Sequence, residues 1–261
     1  MAEAIRFDDG AGYERMMGTW SRIAGATFLE WLAPPRGLRW LDVGCGNGAF
    51  TELLATRCAP AELTGIDPSE GQLSFARERP GTRGATYVQG DAMALPFPDG
   101  SFDAAVMALV LFFVPDPARG LGEMRRVIAP GGLACAYAWD FLAGGFPLAP
   151  LQQAMRDMRL EVVYPPSVDA SREARMRELW EQAGFVDVRT TSMQVQRSFE
   201  SFEQLWEISQ LGSTVRQVLQ RLDDETRAEL KERVRAASPA GADGRITWHA
   251  RANAIQGRLP H

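Results

Sequence analysis

Three cysteines, two histidines and a single lysine in 261 residues exclude several chemistries at once. Cys45, Cys58 and Cys135 are widely spaced, odd in number and lack metal-ligand spacing, so they read as buried thiols in a reducing compartment. No metal site is expected. Lys231 is the only lysine, and the net charge of −5 argues against a general affinity for nucleic acid or an anionic membrane. The apolar run Ala104 to Val114 is too short to span a bilayer. Met1 to Gly10 carries no basic region leading into an apolar run, so no signal peptide is expected and the cytoplasm is the expected location.

What the chain has is an ordinary globular composition, 46% hydrophobic and 23% charged, in a length that suits one α/β domain with a cap or two small domains. Apolar residues at helical spacing over 11–33 predict a helix that Pro34-Pro35 ends. Strand-like runs follow at Leu38–Val43, Glu62–Asp67, Ala85–Gln89, Phe102–Leu109 and Leu133–Trp139. Helical segments at 48–58, 69–79 and 116–128 separate them, the last with Asp116 as N-cap and Ala129-Pro-Gly-Gly132 as its stop. This alternation predicts a parallel sheet with helices on both faces. After Trp139 the rhythm breaks. A helix is expected at 148–160 and another over 171–183, then a strand at Phe185–Val195, a polar helical stretch at 199–237 and a last strand at Arg245–Gln256. The segments 140–170 and 199–243 are expected to cover a pocket as cap inserts of a single 1–261 domain.

The run Leu41-Asp-Val-Gly-Cys-Gly-Asn-Gly48 is a strand that ends in three alternating glycines, followed at once by a helix. Missing side chains there let a ligand lie against the backbone, and the helix's free N–H groups face it. Asp67 ends the second strand and can accept hydrogen bonds from ribose hydroxyls; capping the helix that starts at Ser69 is the alternative. Asp91, after the third strand, can take a hydrogen bond from an adenine amino group, with loop capping as the alternative. The glycines are spaced Gly-x-Gly-x-Gly, and Asp42 precedes them. A buried carboxylate repels a pyrophosphate but suits an ammonium and a sulfonium, which favours S-adenosylmethionine over a dinucleotide.

On Leu41–Gly48, Gly65-Ile-Asp-Pro-Ser69, Gly90-Asp-Ala-Met-Ala-Leu-Pro-Phe97, Ser101-Phe-Asp103 and Glu123–Gly132, the chain resembles the class I S-adenosylmethionine-dependent methyltransferases. The similarity is to their small-molecule branch, which includes ubiquinone- and menaquinone-biosynthesis methyltransferases. It covers residues 38–139, the expected cofactor-binding core. The resemblance implies a Rossmann-like seven-stranded sheet, mostly parallel, with an antiparallel last strand and a helical cap. It implies that Asp42 and Gly44, Cys45, Gly46 and Gly48 hold the methionine part, Asp67 and Pro68 the ribose, and Asp91-Ala92 the adenine. Met107 is a further expected contact. Residues 11–25 resemble the family's N-terminal helix that closes over the cofactor, which makes Tyr13 and Trp20 candidate contacts; core packing is the alternative for Trp20.

The acceptor side is less specified. Many relatives carry a histidine past the fourth strand, where this chain reads Leu109-Val-Leu-Phe-Phe-Val114. His249 and His261 read as structural or solvated. Phe112, Trp139, Phe141 and Trp206 are the candidate acceptor walls, with core packing as the alternative, and Asp140 is the candidate to hold an amine or accept a proton, with a solvated turn residue as the alternative. The expected reaction is in-line methyl transfer to a small apolar or aromatic molecule, driven mainly by proximity and releasing S-adenosylhomocysteine. The alternatives are a protein that binds the cofactor without methyl transfer, and an RNA or protein methyltransferase. A dehydrogenase is a more distant one.

Overall fold

The computed structural model describes residues 14–261. Its centre is one seven-stranded sheet in the order β3-β2-β1-β4-β5-β7-β6. The strands are β1 (Arg39–Val43), β2 (Glu62–Asp67), β3 (Thr86–Gln89), β4 (Phe102–Ala108), β5 (Ile128–Trp139), β6 (Val186–Phe199) and β7 (Ile246–Arg258). The first five pair in parallel, and β7 lies between β5 and β6, antiparallel to both. This matches the expected fold class.

Around the sheet run α1 (Thr19–Leu32), α2 (Ala49–Arg57), α3 (Glu70–Glu78), α4 (Pro117–Val127), α5 (Ala149–Asp157), α6 (Glu173–Gln182), α7 (Phe202–Ser209), α8 (Ser213–Gln220) and α9 (Asp224–Ala236). Local chemistry sets several of their starts. Asp116 accepts the Arg119 N–H at 3.1 Å with Pro117 in the first turn, so α4 begins where its cap and its proline agree. Ser69 caps α3 through the Gln72 N–H, and Ser201 caps α7 through the Gln204 N–H. Packing on α1 and β5 is aromatic, with Phe28 and Tyr137 rings 4.7 Å apart and Trp20 set edge-on to Trp139 at 6.5 Å. Burial of rings this large dominates the energetics of that face.

Three departures from the sequence reading have physical causes. Residues 129–132 do stop α4, but they do so inside a strand. Phe102 pairs with Ile128 and Ala104 with Leu133, so the proline-glycine stretch is a bulge in β5. The polar helical stretch 199–237 holds three short helices, α7, α8 and α9. Strand β6 runs four residues past the expected end, because Gln196, Arg197, Ser198 and Phe199 pair with His249, Trp248, Thr247 and Ile246. The first helix is also irregular, with a π-helical turn at Glu14–Gly18 before α1.

Candidate active site

The glycine turn forms at the carboxyl end of β1 because β2 captures its backbone. The N–H groups of Gly44 and Cys45 both donate to the Ile66 carbonyl, at 2.7 and 3.0 Å. Gly44, Gly46 and Gly48 have φ of +75°, +53° and +79°, a region that side chains resist. Their surroundings differ. A Cβ on Gly44 would lie 2.6 Å from Val110, and one on Gly48 3.0 Å from the Tyr87 hydroxyl, whereas one on Gly46 meets nothing. Gly44 and Gly48 are thus fixed by packing from below, and Gly46 presents bare backbone to open space. Val110 reaches Gly44 because Leu109 before it takes a left-handed φ of +62°, a strained conformation for leucine.

Three carboxylates surround this turn in different states. Asp42 is fully buried on β1; its Oδ2 accepts the Thr51 hydroxyl at 2.7 Å, and its Oδ1 has no partner among the described residues. Burial pushes its pKa up to about 7; the Thr51 bond opposes the shift and the charge of Asp67 adds to it. Asp67 accepts the Gly46 N–H on Oδ2 and the Ser69 N–H on Oδ1, both at 2.9 Å. It therefore braces the turn while keeping lone pairs for a further donor. Burial raises its pKa, and the two backbone bonds pull the other way. Asp91 is exposed and caps its own loop by accepting the Met93 N–H on Oδ1, with Ala92 half-buried beside it. Cys45 is a buried thiol whose Sγ lies against Gly65, and Pro68 is exposed.

A second set of side chains at the turn was not evident from the sequence. Arg79, just past α3, donates to the Asn47 carbonyl at 2.6 Å, to Glu52 at 3.1 Å and to Glu14 at 2.7 Å. The Asn47 amide also donates to Glu14 at 2.9 Å. The π-helical turn is thereby tied to the glycine turn. From the other side, Arg197 on β6 donates to the Met16 carbonyl at 2.8 Å. No motif marks Arg79, because its three partners come from separate elements. Tyr13 lies outside the described residues. Trp20 is buried against Trp139, its alternative role, and Met107 on β4 is wholly buried against Gly120 of α4.

The candidate acceptor walls separate into three groups. Phe112 meets Phe141 at 5.0 Å, and Phe141 stacks on Phe146 at 4.5 Å, at the carboxyl ends of β4 and β5. Trp139 turns to the α1 side. Trp206 stacks on Phe202 within its own helix. Asp140 follows Trp139 and faces the other side of the sheet, where its Oδ2 pairs with Arg251 on β7 at 2.8 Å. Asp140, the candidate to hold an amine or accept a proton, thus has its Oδ2 committed to an ion pair with Arg251. His249 is exposed on β7, and the His261 ring lies against Gly131.

A family model described as a methyltransferase domain matches residues 41–136. The chain is 32% identical over 177 residues to a demethylmenaquinone methyltransferase of Staphylococcus aureus, which covers 60% of this chain and 71% of that protein. It is 36% identical over 154 residues to the chloroplastic 2-methyl-6-phytyl-1,4-hydroquinone methyltransferase 2 of Oryza sativa subsp. japonica. That match covers 59% of this chain but only 40% of the plant protein's length. Among solved structures, a putative methyltransferase from Bacillus halodurans aligns with a TM-score of 0.59 at 20% identity, over 91% of this chain and 99% of that one. The Haemonchus contortus phosphoethanolamine N-methyltransferase 2, in complex with phosphomonomethylethanolamine and S-adenosylhomocysteine, aligns with the same score at 19% identity. It covers 98% of this chain and 58% of that one. These two likenesses concern the fold.

Proposed function

Since the chain belongs to the S-adenosylmethionine-dependent methyltransferases, we propose that it transfers a methyl group to a small apolar or aromatic molecule. The observation that carries the acceptor class is the aromatic set Phe112, Phe141 and Phe146, the first pair edge-on and the second stacked, at the sheet edge that also bears the glycine turn. The names of the two curated relatives, which give demethylmenaquinone and a phytylhydroquinone as the compounds they methylate, favour the same class.

The residues around the turn fit the cofactor. The buried, donorless Oδ1 of Asp42 suits the ammonium end of the methionine part, and a cation there would draw its pKa back down. Gly46 offers open backbone for close approach. Asp67 has lone pairs left for ribose hydroxyls, and Asp91 with Ala92 would hold the adenine. Bound S-adenosylmethionine supplies a methyl group on a positively charged sulfur, whose departure as a thioether needs no acid. The protein's part is alignment, for which positioning can contribute about 7–11 kcal/mol. Aromatic walls keep water out of that alignment. An amine acceptor must arrive neutral, and a hydroxyl must lose its proton during or after transfer.

A methyl-release assay across apolar, aromatic and polar acceptors tests this reading. S-adenosylhomocysteine should accumulate with an apolar or aromatic acceptor. Tight cofactor binding with no transfer to any acceptor would instead make this a cofactor-binding protein. Tight NAD binding with none of S-adenosylmethionine would overturn the reading altogether.

A further inference from the structure

Asp42 combines full burial with unequal treatment of its two oxygens. Its partners across the sheet are Gly65 of β2 and Val106 of β4, and neither has a side chain that can donate a hydrogen bond. Its donor comes from α2, where the Thr51 hydroxyl gives its proton to Oδ2 at 2.7 Å. Thr51 is itself wholly buried, three residues past Gly48 in the first turn of that helix. Oδ1 stays buried with no donor among the described residues. A buried carboxylate oxygen in that condition is costly, so it calls for a donor that arrives with a ligand or solvent.

Thr51 decides which oxygen stays open. A threonine hydroxyl has one proton to donate, and giving it to Oδ2 fixes the rotation of the carboxyl. The same bond favours the charged form, against the burial that pushes the Asp42 pKa up to about 7. Other titratable groups that bear on Asp42 give no such help. The charge of Asp67 on β2 acts in the same direction as burial. The thiols of Cys45 and Cys135 and the Tyr87 phenol are themselves driven up by burial, and are neutral at pH 7. Glu52, next to Thr51 on α2, turns to Arg79 at 3.1 Å. Among the described residues, Thr51 is what favours the carboxylate.

We propose, on the methyltransferase reading, that Thr51 is a positioning residue for the cofactor: its hydroxyl turns the Asp42 carboxylate so that Oδ1 meets the ammonium of the methionine part. Thr51 acts through Asp42. The ammonium and the transferring methyl sit on different atoms of the methionine part. Thr51 therefore governs how tightly the cofactor is held, and shows in KM for the cofactor rather than in kcat.

Titration calorimetry of the full chain from pH 6 to pH 9 tests this with two probes. One is S-adenosylhomocysteine; the other is methylthioadenosine, which keeps adenine, ribose and sulfur but has no ammonium. Thr51→Val matches the shape of the side chain and removes the donor. It should bind S-adenosylhomocysteine about tenfold more weakly at pH 6, the effect of losing one hydrogen bond to a charged group, with the deficit shrinking toward pH 9. Its affinity for methylthioadenosine should be unchanged. Thr51→Ser, which restores the hydroxyl, should recover most of the loss. In the natural chain without ligand, the Thr51 hydroxyl proton should be protected from exchange, and its NMR signal should move as Asp42 titrates near pH 7. That measurement needs no variant to fold. A deficit equal at every pH, a parallel loss for methylthioadenosine, no recovery in Thr51→Ser, or a hydroxyl signal indifferent to the titration would each overturn the proposal alone. Failure of the natural chain to bind either probe would overturn the methyltransferase reading and the proposal with it.

Discussion

The two ends of the sheet are assembled by different means. At β1 and β2 the site is built from backbone, with three left-handed glycines, N–H groups bonded to Ile66 and Asp67, and a carboxylate under the turn. At β5, β7 and β6 the polar contacts are between side chains that meet only through the antiparallel pairing, such as Asp140 with Arg251. Backbone recognition demands glycine at fixed positions and leaves a contiguous signature. Side-chain assembly demands only that distant residues arrive together, and leaves none.

The strongest way to break this comparison is Gly44→Ala. An added Cβ meets Val110 at 2.6 Å in a conformation that itself costs alanine about 1 kcal/mol or more. The expected outcome, by calorimetry and thermal melting, is loss of S-adenosylmethionine affinity by at least a hundredfold together with a lower Tm. If affinity survives, the turn is not the cofactor's backbone cradle.

This contrast also governs what the sequence reveals. The five parallel strands and the turn were legible from spacing alone, since β-runs alternate with capped helices and glycines punctuate them. The π-helical turn, the bulge at 129–132 and the split of 199–237 were not, because each depends on what packs against it. Arg79 illustrates the limit for the site. Its bonds to Glu14, Asn47 and Glu52 span three elements, so no local pattern carries them. Asp140 was visible as a residue, but its orientation followed from Arg251, far along the chain.

A second test sharpens the electrostatics of the backbone end. Asp42 titrates near 7 in the folded protein against about 4 when unfolded, so the native state binds more protons between those values. Native stability conferred by this group is therefore lost as pH rises from about 4 to about 7 in the cofactor-free protein. Asp42→Asn removes that penalty. Its Tm advantage over the natural chain should grow from pH 5 to pH 8, while its cofactor affinity falls. A pH-independent difference would mean the carboxyl is not desolvated.

The smallest expected effect comes from the one place where the backbone end relies on distant side chains. Arg79→Met removes bonds to Glu14, to Glu52 and to the Asn47 carbonyl, and partial exposure of Glu14 and Glu52 limits the loss to about 1 kcal/mol. A double-mutant cycle with Glu14→Gln, read by denaturant unfolding, should give a coupling of about 0.5 kcal/mol or more. No coupling would mean the π-helical turn is not held through this pair.

The position of β7 carries a consequence in time. Last of the seven strands along the chain, it is the wedge that both β5 and β6 pair with, and no bond joins those two directly. As the polypeptide emerges, the parallel strands can assemble while β5 still shows a bare edge and β6 has nothing to dock on. Completion of the sheet, and with it the meeting of Arg251 and Asp140, is deferred until β7 has emerged. Until then, that open edge is the stretch most in need of protection from other chains.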